Sequence, residues 1–67
     1  MNRDEMIAEA RSIIAEIRAN GNTAFADVAD AMVEEKVDEL GGAWLLSLRV
    51  ARQVLQQSRS DLRGNRY

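Results

Sequence analysis

The sequence predicts an all-α fold, a small three-helix bundle completed by homo-oligomerisation through its third helix. Three observations carry this. Apolar residues recur at three- and four-residue spacings in three segments, with no proline and no alternating run that would suit a strand. Asn20-Gly21 and Gly41-Gly42 punctuate those segments. The third segment is apolar on two faces, whereas a surface helix needs only one stripe. The 67 residues form a single domain, 1–67, with helices expected over about 4–19, 24–40 and 43–62 and a tail over 63–67.

A chain this short buries only about 60% of the surface its unfolded form exposes, so its stability is marginal. Domains of this size are usually held by disulfides, a metal or association. The sequence has no cysteine, hence no disulfide and no thiolate site. It has no histidine either, which removes the commonest general base and metal ligand. Association is the remaining device. No apolar run near Met1 suits a signal peptide, and none in the chain is long enough to span a bilayer. A cytoplasmic protein is the expectation.

The first helix spans about Asp4 to Ala19. Asn2 or Asp4 can cap it, and Asp4 and Glu5 place negative charge at the positive end of its dipole. Met6, Ile7, Ala10, Ile13, Ile14 and Ile17 fall in one arc of roughly 120°. Glu5, Glu9, Ser12 and Glu16 lie opposite, and Asn20-Gly21 is a C-terminal stop.

Asn22 and Thr23 are competent caps for a second helix, Ala24 to about Leu40. Phe25, Val28, Ala29, Met32, Val33, Val37 and Leu40 form its apolar face, interrupted by Lys36. Asp27, Asp30, Glu34, Glu35, Asp38 and Glu39 occupy the rest. Four of these acids crowd the last two turns, against the negative end of the dipole, and Glu34/Asp38 and Glu35/Glu39 repel at i,i+4. Either the helix continues through the glycines, or Arg49 and Arg52 offset the acids. A turn is favoured, since two glycines inside a helix cost about 2 kcal/mol.

The third helix, about Ala43 to Leu62, carries a row of Trp44, Leu48, Ala51, Leu55, Ser58 and Leu62 and a second row of Leu46, Val50 and Val54. The first suits the chain's own core. The second, if exposed, is an apolar patch of the kind that marks association. Helix three is expected at the centre, antiparallel to helix two, with helix one laid across them.

Charge is unevenly spread. Residues 1–42 hold ten acids and four bases, whereas residues 43–67 hold five arginines and one acid. Separation of this kind marks complementary surfaces. Arg49, Arg52, Arg59 and Arg63 could touch nucleic-acid phosphates, but the sequence pI near 5.0 speaks against a dedicated nucleic-acid binder. Phe25 to Met32 resembles the first helix of a helix-turn-helix, yet no turn glycine follows and the next segment is acidic, which would repel DNA.

Asp38-Glu39-Leu40-Gly41-Gly42-Ala43-Trp44-Leu45 resembles the second metal motif of all-α nucleoside-triphosphate pyrophosphatases. The resemblance covers eight residues. It implies a metal-dependent nucleotide hydrolase, but Gly42 stands where the metal-binding aspartate belongs. The serines have no histidine to activate them. No catalytic residue, metal site or cofactor is therefore expected. The expectation is a non-enzymatic interaction protein, a homodimer or higher oligomer that regulates or inhibits another protein. Its partner-binding face would be Asp27, Asp30, Glu34, Glu35, Asp38 and Glu39, and its oligomer interface Leu46, Val50 and Val54.

Overall fold

The fold comes from a computed structural model, which describes the backbone of residues 1–64 and the side chains of residues 1–57. The chain is helical almost throughout: α1 Arg3–Ala19, α2 Thr23–Ala31, α3 Val33–Leu40 and α4 Gly42–Gly64.

α1 is bounded by its own sequence. The Asn2 side chain accepts from the Glu5 backbone N–H at 2.8 Å, and the Glu5 carboxylate accepts from the Asn2 N–H at 3.0 Å. This reciprocal capping box satisfies two donors that the first turn leaves open. At the other end Gly21 donates to the Arg18 carbonyl and Asn22 to the Ile17 carbonyl, with Gly21 at φ 95°. This is a Schellman stop, and the positive φ selects glycine. Asn22 occupies the cap position of α2 as expected, but its side chain makes no capping bond.

The expected second helix is two helices. Met32 leaves the helical region (φ −106°, ψ 2°), and its N–H bonds to the carbonyl three residues back, Ala29, rather than four. Neither proline nor glycine marks the break. The division has an electrostatic consequence. Glu34 and Glu35 become first-turn residues of α3, at the positive end of its dipole, instead of penultimate-turn residues of a long helix.

Gly41 makes the turn into α4. Its φ of 58° with ψ −131° is open to glycine almost alone. The glycines do end the helix. The offsetting cations, however, come from α1 and, for Glu39, from Lys36 of the same helix, and not from Arg49 and Arg52.

The core is Ala10, Ile13, Ile14 and Ile17 of α1, Ala26 and Ala29 of α2, Val33 and Val37 of α3, and Trp44, Leu45 and Leu48 of α4. Met6, Ile7 and Leu55 pack at its edge. α1 touches each of the other three helices, as the shorter α3 also does, and supplies four of the eleven core residues, more than any other helix, while α2 makes no close backbone approach to α4 among the described residues. α1 is therefore the central element, contrary to the expectation for helix three. The reason is compositional: four isoleucines in one arc give α1 the densest apolar stripe, and the remaining helices settle around it. Ser58 and Leu62 of the expected core row lie outside the described side chains, as does most of the expected tail.

Candidate interaction surfaces

The acidic residues of α2 and α3 form one exposed face, and α1 answers it with arginines. Arg18 binds Asp27 at 2.7 Å and Arg11 binds Asp30 at 2.9 Å. Arg3 makes a two-pronged contact with Asp38, 2.6 Å from Nε and 3.2 Å from a terminal nitrogen. Glu34 lies 3.9 Å from both Arg3 and Arg11. The order of the pairs shows that α2 and α3 run opposite to α1. The hydrogen bond from Arg3, aided by its charge, holds the Asp38 carboxyl below its ordinary range and raises Arg3 in turn.

Glu39 reaches Lys36 at 3.4 Å within its own helix. Glu35 has no ion pair among the described residues. All six acids are exposed, and five of them face cations of the same chain. All these pairs are exposed, where each contributes about 0–1 kcal/mol.

The basic side of α4 turns to the other edge of α1. Arg49 binds Glu9 at 3.0 Å, and Arg52 binds Glu16. Two of the four guanidinium groups that the sequence offered to nucleic-acid phosphates are thereby engaged with carboxylates. The side chains of Arg59 and Arg63 lie outside the described residues. The two contacts also show that α4 runs in the same sense as α1.

Sequence reading missed these ladders because it searched for partners between the second and third helices. A signal was present. Arg11 and Arg18 are seven apart, as are Glu9 and Glu16, and the two lines sit about 160° apart around α1 at 100° per residue. A helix with cations along one edge and carboxylates along the other is built to be flanked by one acidic and one basic neighbour.

The two apolar rows of α4 separate cleanly. Trp44 and Leu48 are buried, and Ala51 and Leu55 are half-buried. Leu46 is 60% exposed, Val50 53% and Val54 53%. Phe25, Val28 and Leu40, expected inside, are also exposed. They were misassigned because the expected apolar arc of the second helix covered nearly half its circumference. α1 covers only the narrow stripe of Ala26, Ala29, Val33 and Val37.

Among the described residues no three carboxylates converge as a metal-binding group, and no buried side-chain polar atom lacks a partner. The acids of the Asp38–Leu45 segment that resembled a metal motif point elsewhere: Asp38 is held by Arg3, and Glu39 reaches Lys36. No described helix is long and apolar enough to cross a membrane. No protein-family model, curated protein or solved structure matches this chain.

Proposed function

We propose that this chain is a small non-enzymatic protein–protein interaction module that acts as a homo-oligomer through α4. One observation carries the proposal. Leu46, Val50 and Val54 stand more than half exposed on the outer face of a helix whose inner face is buried. Apolar side chains scattered over a surface need no explanation, but a row at four-residue spacing is one continuous stripe. Covering it removes apolar area from water at about 25 cal/mol per Å². The chain also needs the gain, since three of its eleven core residues are alanines.

The acidic face of α2 and α3 is the candidate surface for a further partner, which the module would regulate or inhibit. A basic partner would compete there with Arg3, Arg11 and Arg18 for the carboxylates they hold. The ion pairs weaken the field of that face, so self-association through α4 is the stronger part of the proposal.

Native mass spectrometry of the intact chain beside Val50→Asp tests it. The expected result is a multiple of the chain mass for the native sequence and a single chain for the variant. A single chain for both would overturn it.

A further inference from the structure

The row on α4 is too small to hold two copies together by itself. A stable specific interface buries about 800 Å² per partner, and three half-exposed aliphatic side chains fall well short. The remaining exposed apolar residues lie in register to extend it.

Their position follows from the ion-pair ladders. α1 turns its arginine edge to the acids of α2 and α3, and its glutamate edge to the arginines of α4. On α2, Phe25 and Val28 lie about 160° around the helix from Asp27 and Asp30. On α4, Leu46, Val50 and Val54 lie about 130° from Arg49 and Arg52. Both apolar flanks therefore turn away from the ladders, toward the same side of the molecule, opposite α1. Among the described residues α2 and α4 make no close backbone approach to each other. Leu40 and Leu46 flank the Gly41 turn at one end of this side. Phe25, Val28 and Val54 lie toward its other end, because Asp27 pairs with Arg18 and Arg52 with Glu16 on neighbouring turns of α1.

We infer that the occupant of this apolar face is a second copy of the chain, with the two α4 helices antiparallel about a two-fold axis at Val50. The inference rests on the self-association proposed above and names its geometry. Antiparallel pairing sets Val50 against the partner's Val50, and Leu46 against the partner's Val54. It lays Leu40 and Leu46 of one protomer over the partner's Phe25 and Val28.

Every exposed large apolar residue among the described ones except Met1 is then covered. A parallel pair would instead set each of these residues against its own copy. The outward strip of α4, comprising Ala43, Leu46, Ser47, Val50, Gln53, Val54 and Gln57, carries no charge. Two copies of a net-negative chain can therefore meet there without like-charge repulsion. Antiparallel helices also align their dipoles favourably.

Because the chain has no cysteine, single-cysteine variants report the register directly. Val50→Cys, Leu46→Cys and Val54→Cys are oxidised mildly, alone and as the Leu46→Cys plus Val54→Cys mixture, after light scattering has established the mass of each when reduced. The inference expects Val50→Cys to crosslink to itself. It expects the mixture to give predominantly the mixed disulfide, at least five-fold over either variant alone. Efficient self-crosslinking of all three positions would indicate a parallel pair and overturn the geometry while leaving self-association intact. So would a proven dimer in which neither Val50→Cys nor the mixture crosslinks. A monomeric mass for the native chain would overturn both proposals. Phe25→Glu with Val28→Glu provides a second readout, with dimerisation expected to weaken at least ten-fold. An unchanged dimerisation constant would remove α2 from the interface.

Discussion

α1 and α4 are both amphipathic, but they use their apolar residues differently. In α1 one arc holds them all, and the core takes Ala10, Ile13, Ile14 and Ile17 completely. Its two polar edges then engage α2–α3 and α4 by charge. In α4 the apolar residues divide between an inner face, Trp44, Leu45 and Leu48, and an outer row that nothing among the described residues covers. The first is the pattern of a helix that organises a fold. The second is the pattern of a helix shared between a fold and a partner. The contrast teaches that apolar content alone does not mark an interface: what marks it is apolar surface left over after the chain's own core is complete.

Substitutions should separate the two roles. The largest effect is expected in α1. Ile13→Ala leaves a cavity in a fully buried site and should cost about 2–5 kcal/mol. In so small a domain that is enough to abolish a cooperative thermal transition, as followed by circular dichroism. Val50→Asp should instead leave the helical signal in place under conditions where the variant is folded, and abolish the concentration dependence of its melting temperature. If Ile13→Ala melts like the native chain, the proposed core is wrong.

The turn between α3 and α4 sharpens the comparison, because it orients α4 against α1. Gly41→Ala forces a side chain into a strained backbone region and should cost about 1–3 kcal/mol in chemical unfolding. Gly42→Ala meets no atom within 4 Å and lies inside the helix, so it should be neutral or stabilise by about 0.4–1 kcal/mol. Equal losses at both positions would contradict the turn described here.

Smaller still is the effect of the ladders. Arg11→Ala, which removes the cation shared by Asp30 and Glu34, should cost less than about 1 kcal/mol, and less again in high salt. The sign of the pH dependence is set by Asp38. Its carboxyl is depressed in the folded chain, so the contribution is present above the unfolded value of about 3.9 and is lost as pH falls through the folded one. Asp38→Asn should remove this part of the acid destabilisation in unfolding curves taken between neutral pH and strong acid. An unchanged acid profile would show that the Arg3 contact does not persist in solution.

Much of the architecture was legible residue by residue. Asn2, Glu5 and Gly21 delimit α1 through capping chemistry that depends only on neighbours in sequence, and Gly41 announces its turn in the same way. The break at Met32 was not legible, because no proline or glycine marks it. Its electrostatic benefit to Glu34 and Glu35 becomes visible only once the helix is divided. The central place of α1 was also hidden, since periodicity shows which face is apolar but not which helix the others gather around. At the candidate interface, the outward orientation of Leu46, Val50 and Val54 followed from spacing alone. The exposure of Phe25 and Val28 did not, because the width of the stripe that α1 covers depends on how closely small residues let α2 approach.

The most direct test of the central claim, that assembly through α4 completes this fold, is thermal unfolding across a dilution series with light scattering on the same samples. A mass above one chain, with a melting temperature that rises as concentration rises, is the result expected of a fold coupled to association. A single-chain mass with a melting temperature independent of concentration would contradict it.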